Sequence, residues 1–294
     1  MVRAASLCSW RMYQLSYSKI SLLVKNMLCG KSERIFSARF VSSSTGSMPN
    51  ATYVLAARPR LLQYVTKNPS VPSACFCSCA NSSGPLKNRR IIGWRPGSTP
   101  QLFFEYVLKQ KGVDSETIRS IVTNIAPPAR EGAWLSGDGD FGIFNEPSTE
   151  NLARAGRIHV LASIGKELGA AENTDFFAKK SWVEKNRDVA QKFTNAIARA
   201  QAWMKAATDA QIAAALAPHF PGLPSDITVD VIKRYRGTGA PILSETPQIS
   251  RPGLAKLQEV MIIGGVIDPS KTVPYESIVA AEFALEAERS VLPK

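Results

Sequence analysis

Arg90-Ile91-Ile92-Gly93-Trp94-Arg95-Pro96-Gly97-Ser98-Thr99-Pro100-Gln101-Leu102-Phe103 is the stretch on which the fold turns. Arg90 to Trp94 reads as a short buried strand, and Arg95-Pro96-Gly97 as the turn that ends it. Ser98 or Thr99 then caps a helix with Pro100 in its first turn, where a missing N–H costs nothing. Ser98 and Gln101 have the spacing of a capping box. Leu102, Phe103, Val107 and Leu108 make an apolar stripe, and Gly112 stops the helix.

Toward the C-terminus the same alternation continues. Ile121-Val122 sits in a second strand, and Ala129 to Leu135 makes a short helix closed by Gly137. Asp140 to Phe144 is a third strand, followed by Asn145-Glu146-Pro147-Ser148 and another helix. Strands and helices alternating at this spacing predict an α/β fold with a parallel sheet and right-handed crossovers. The second half is mostly helical. Val189, Phe193, Ile197, Ala200 and Met204 define one helix face, with Trp203 beside it as a packing aromatic. Thr208 with Gln211 boxes the next helix, and Ser225 caps another carrying Ile227, Val231 and Tyr235. Helices are predicted over Gly253 to Ile263 and Tyr275 to Glu288.

The first third differs in kind. The chain carries a net charge of +12, yet residues 1–90 hold 13 Lys and Arg against one acid, Glu33, and the remainder is balanced. With no basic excess on the organised part, a nucleic-acid groove is not expected. All five cysteines precede residue 80, so no disulfide framework supports the organised part. Residues 1–44 are basic, Ser-rich and acid-poor like an organellar targeting segment, with Leu22-Leu23-Val24 as the apolar patch. Residues 45–90 show little periodicity and read as a linker or as a shifted or misjoined start. Cys75-Phe76-Cys77-Ser78-Cys79 lacks the spacing of a structural zinc site. The domain reading is therefore 1–88 as a separate basic segment, 89–175 as an α/β lobe, and 176–294 as a returning strand and helices.

Candidate chemistry gathers at two strand ends. The first N–H groups of a helix lack internal partners, and its dipole is positive there. Ser98 and Thr99 at such a point make a site for a sulfonate, phosphate or carboxylate, with Gly97 shaping the turn. Arg95 can add a charge-assisted bond and Trp94 an apolar wall; simple helix capping is the alternative. Asn145-Glu146-Pro147 follows the third strand, and ligands of open α/β sheets bind at the carboxyl ends of strands. The two turns are expected to converge on one crevice.

At these residues a family resemblance emerges. Ile91 to Thr99 with Gly112-Val113 resembles the segment opening the second lobe of ABC-importer solute-binding proteins of the nitrate/sulfonate/taurine type, a group that includes pyrimidine-precursor (thiamine-related) binders. Ala129-Arg130-Glu131-Gly132-Ala133-Trp134-Leu135-Ser136-Gly137-Asp138-Gly139-Asp140, leading to Asn145-Glu146-Pro147, is similar to the family's helix, Ser-Gly turn, Asp and strand. Phe176-Phe177-Ala178, Trp182 to Phe193 and Pro274-Tyr275-Glu276 to Glu286 resemble its returning strand, long helix and ending. The resemblance covers about residues 88–294. It implies a two-lobed periplasmic-binding-protein type II fold, a small anionic ligand, ABC permease subunits as partners, an extracytoplasmic location, a monomer and no cofactor. Roughly ninety residues of βαβ units expected before Ile91 are not recognisable in 1–88, so the first lobe reads as incomplete.

Enzymatic readings have less in the residues. His159 and His219 are the only histidines, and neither has a nucleophile or paired carboxylate in a recognisable arrangement. His159 lies in the apolar run Ile158 to Leu161 and is expected in the core. Asp138 and Asp140 are explained as turn and strand entry. An enzyme of pyrimidine or menaquinone-type metabolism on the same fold, and a non-functional fragment, stand as alternatives.

Overall fold

The computed structural model describes residues 52–58, 62–67, 86–113, 118–237 and 244–291. The predicted targeting region 1–44 and the Cys75–Cys79 cluster lie outside the described residues. The described strands are β1 (Thr52–Arg58), β2 (Leu62–Thr66), β3 (Arg90–Ile92), β4 (Ser120–Val122), β5 (Phe141–Asn145), β6 (His159–Ser163) and β7 (Thr174–Lys179). They form a five-stranded sheet ordered β4-β3-β5-β2-β6 and a two-stranded sheet of β1 and β7. β3 runs parallel to both neighbours, while β2 runs antiparallel between β5 and β6. Four of the five strands therefore point one way, as the sequence predicts for a mainly parallel sheet.

The chain passes between the two sheets twice. It leaves β1 and enters the larger sheet at β2 within a few residues, and β7 returns to pair antiparallel with β1. Such paired crossings build two lobes from one chain.

The organised fold thus starts well before residue 88, a correction to the predicted boundary. Gln63, Tyr64, Val65 and Thr66 are all buried in the middle of the sheet. Five residues are too few to show a period, and the strand's partners lie roughly eighty to a hundred positions downstream, so nothing local betrays it.

Helices cover both faces of the large sheet, which explains the unbroken apolar strands. Alternate side chains point opposite ways. Tyr64, Ile91 and Ile143 pack on one face with α1 (Thr99–Gln110) and with Val260 of α9 (Arg251–Ile263). Val65, Ile92 and Phe144 pack on the other with Trp134 of α2 (Arg130–Leu135) and Leu152 of α3 (Ser148–Arg154). Each such buried apolar side chain contributes about 1.5–3 kcal/mol. Between α3 and α9 lie α4 (Ile164–Leu168), α5 (Lys180–Lys185), α6 (Arg187–Ala206), α7 (Asp209–Leu216) and α8 (Ser225–Gly237). The Thr208–Gln211 capping box of α7 is present as predicted.

Three local expectations are corrected. The fully buried residues of α6 are Ala190, Thr194, Ala196, Ile197, Ala198 and Gln201; of the predicted stripe Ile197 is among them, while Val189, Phe193, Ala200 and Met204 flank that face half-buried. Small residues let α6 approach the C-terminal helix closely, and Trp203 is left 42% exposed. Tyr275 to Glu288 is two helices, α10 (Tyr275–Ile278) and α11 (Ala281–Val291), because Val279 is extended. His159 is exposed rather than in the core, since it begins the edge strand β6 and its neighbour Ile158 takes the inward position. Among the described residues, no helix is long and apolar enough to cross a membrane.

Candidate functional site

Register places the two predicted turns together. Ile91 pairs with Phe141 and Ile92 with Gly142 in the parallel β3–β5 ladder. Gly93–Thr99 and Asn145–Pro147 therefore leave the sheet from the same edge, side by side. The Trp94 indole Nε1 donates to the Ile143 carbonyl at 3.1 Å, which ties the first turn to the second strand.

The helix start differs from the expected capping box. Ser98 Oγ donates to the Arg95 carbonyl at 2.6 Å and makes no cap hydrogen bond. Gln101 is buried; its Oε1 accepts from the Trp94 amide at 2.7 Å, and its Nε2 donates to Glu105 at 2.8 Å. A Cβ on Gly93 would come within 2.8 Å of that Gln101 oxygen and 2.6 Å of Ile121, so the turn needs glycine there. Gly97 sits at φ +71° in the left-handed region. Arg95 is exposed, and Thr99 is half-buried as the first residue of α1. The α1 N-terminus thus has neither a side-chain cap nor an acid in its first turn. Its orphan N–H groups and positive dipole end suit an anion.

In the second turn, Asn145 ends β5, and its buried Oδ1 has no hydrogen-bond partner among the described residues. The Glu146–Pro147 peptide is cis. The Glu146 side chain is buried, which raises its carboxyl above the usual range; Arg234 and the Glu150 amide oppose that shift. Glu146 Oε2 accepts from the Glu150 amide at 3.0 Å, and Oε1 lies 3.1 Å from Arg234 Nε. Arg234 also pairs with Glu150, which Arg154 contacts at 3.0 Å. Arg154 in turn pairs with Asp226 and Asp230. Glu146 is therefore engaged by α8 through a chain of ion pairs.

Two buried groups, one at this edge and one on β7 of the smaller sheet, were not singled out from the sequence. Arg130, at the start of α2, is 3% exposed. Its guanidinium donates to the carbonyls of Gly93, Ile92 (3.4 Å) and Ile143 (2.6 Å), and it lies 4.2 Å from the Trp94 ring centre. Burial lowers its pKa to about 10. A lone Arg on the inner side of a short apolar helix is the only signal the sequence held. Asp175, on β7, has a buried Oδ1 without a hydrogen-bond partner among the described residues. Burial, with the nearby Glu172 charge, pushes its carboxyl up to about 7. Glu172 is itself raised by burial while accepting from the Ser250 amide and hydroxyl at 2.8 and 3.0 Å. Asp140 is accounted for structurally: it accepts from the Arg90 amide at 2.8 Å. Among the described residues, no cluster of three or more His, Cys, Asp or Glu could hold a metal ion.

A twice-crossed pair of sheets with an open helix start at the strand exits defines the class: a periplasmic-binding-protein-like fold. Residues 80–217 match the model of the NMT1-like family. YtlA of Bacillus subtilis (strain 168), described as a candidate binding protein, is 32% identical over 199 residues, which is 68% of this chain and 58% of that protein. The chain thus spans little more than half of that relative's length. The periplasmic aliphatic sulphonate binding protein SsuA from Escherichia coli superposes with a TM-score of 0.58 at 18% identity, over 79% of this chain and 75% of that one. The desulfurization enzyme DSZB superposes with a TM-score of 0.56 at 13% identity, over 82% and 80%. The resemblance to solute-binding proteins read from the sequence is borne out by these matches. The superpositions reach beyond the 205 or so residues over which the sequence resemblance was legible.

Proposed function

We propose that this chain is the solute-binding component of an ABC importer, which captures a small anion outside the cytoplasm and hands it to a membrane permease. One observation carries the reading. The uncapped N-terminus of α1 opens at the exit of β3, beside the exit of β5, with no acid in its first turn. Backbone N–H groups at such a point hold an oxyanion without any cofactor.

In this reading the ligand contacts are Trp94, Arg95, Gly97, Ser98, Thr99, Asn145, Glu146 and Pro147. The Thr99 hydroxyl and the α1 amides take the anionic group, and the Ser98 hydroxyl joins them by turning from the Arg95 carbonyl to the ligand. Arg95 covers it from solvent, and Trp94 lines the apolar side. The unpartnered Asn145 Oδ1 accepts from a donor on the ligand. Glu146, held by Arg234, fixes the second turn and meets the ligand on the side away from its anionic group. A sulfonate is the leading class, by analogy with the ligand named for SsuA. The protein works as a monomer in this scheme, its two lobes closing on the ligand.

DSZB supports a second reading, because the same fold carries an enzyme there. Calorimetry and thermal-shift measurements with ethanesulfonate, nitrate, acetate and an aminopyrimidine separate the two. Binding predicts a stabilisation with at least one anion and a ligand recovered unchanged. Consumption of the compound would favour the enzyme, and no response to any of the four would sink the transport reading.

A further inference from the structure

The structure assigns Arg130 a role beyond fastening the turn: we infer that it is the buried counter-charge of the ligand's anionic group. This rests on the anion-binding reading above and names the charge that drives it. Arg130 is nearly fully buried, yet no carboxylate pairs with it among the described residues. Its partners are three backbone carbonyls, which satisfy donors but carry no net charge. Its Nε–H is buried with no hydrogen-bond partner among the described residues. Arg154 and Arg234, by contrast, each sit among several acids.

A buried ion without a counter-ion leaves a strong local potential, because little water screens it. The guanidinium that generates it lies against the carbonyls of Gly93, which opens the first turn, and of Ile143, two residues before Asn145 in β5. The α1 dipole adds to it with the same sign. Arg130 therefore acts as a positioning residue from beneath the site: it holds the Gly93–Trp94 turn in shape and supplies the positive charge.

The test uses the full chain with ethanesulfonate as probe and affinity by calorimetry. Arg130→Gln removes the charge but keeps a donor; it should weaken binding about 10- to 100-fold. Arg130→Lys keeps the charge at neutral pH and should restore affinity to within about fivefold at pH 6.5. A buried lysine loses its proton more readily than arginine, so this variant's affinity should fall at least tenfold by pH 9.5 while the wild type stays flat. A purely structural role gives no such alkaline limb. In wild-type protein the Arg130 Nε–H resonance should move on titration with the calorimetric midpoint, which keeps the test open if a variant fails to fold. Arg130→Gln binding within threefold of wild type, a flat Arg130→Lys profile, or an unmoved resonance at saturation overturns this role alone. Wild-type protein that binds no anion overturns it together with the reading it rests on.

Discussion

Arg234 Nε lies 3.1 Å from Glu146 Oε1, so a residue of α8 reaches a carboxylate at the exit of β5 that is only 2% exposed. The contact is an ion pair rather than an aligned hydrogen bond, since neither atom finds a hydrogen-bond partner. It fastens a late helix to the second turn of the candidate site across almost ninety residues of sequence.

Arg234→Gln should strand Glu146 as a buried carboxylate without its cation, while Glu150 keeps Arg154. Removing one partner of a buried pair typically destabilises by about 3–5 kcal/mol. Arg234 opposes the burial-driven rise of Glu146, so its loss raises that pKa further. An acid whose folded pKa is raised costs stability as pH climbs from its ordinary value up to the raised one, and no more above that. The variant should therefore recover stability on acidification from pH 8 to 5 relative to wild type. Urea denaturation at both pH values reads this; an equal deficit at both would refute the pairing.

Asp175 offers a second pH effect of the same sign. Its folded pKa of about 7 lies above the ordinary carboxyl value. Folded protein binds the extra proton between those limits, so stability falls as pH rises from about 4 to 7. Asp175→Asn removes that titration. It should be more stable than wild type at pH 8, on the order of a few kcal/mol, and little changed at pH 4. Thermal melts across that range supply the measurement.

Ser98→Ala tests the open helix start. Loss of a working N-cap hydroxyl costs about 1 kcal/mol. Ser98 does not cap α1, so the substitution should cost under about 0.5 kcal/mol. Its effect should appear instead as weaker ethanesulfonate binding. A full cap penalty without any change in affinity would return Ser98 to a structural role.

Gly93→Ala probes the joint between turn and helix. The added methyl would crowd Ile121 and the Gln101 oxygen that accepts from the Trp94 amide. Overpacking of this kind costs about 1–3 kcal/mol. Trp94 should loosen as well, which tryptophan fluorescence and anion affinity together report.

The local elements from β3 to α3 were legible because each is written locally: an apolar run, a turn with Pro and Gly, a stripe at helical spacing. The same holds for the Thr208–Gln211 box, whose partners are three residues apart. Ser98 shows the limit of such reasoning. Its spacing to Gln101 fits a box, but Gln101 is claimed by the Trp94 amide and Ser98 by the Arg95 carbonyl. Helix α6 shows it too: the predicted stripe and the buried face share Ile197, and packing against α11 shifted the burial toward the adjoining small residues.

By itself the sequence determined the α/β alternation, the balanced charge of residues 91–294 and the two turns rich in hydrogen-bonding groups. Those follow from propensity and period, which act over a few residues. Only the tertiary structure decided that β2 lies inside the sheet between β5 and β6, and that Arg130 and Arg234 converge on the two turns whose common edge the sequence predicts. Each depends on strand register or on a side chain buried against a distant backbone, and neither leaves a mark in neighbouring residues.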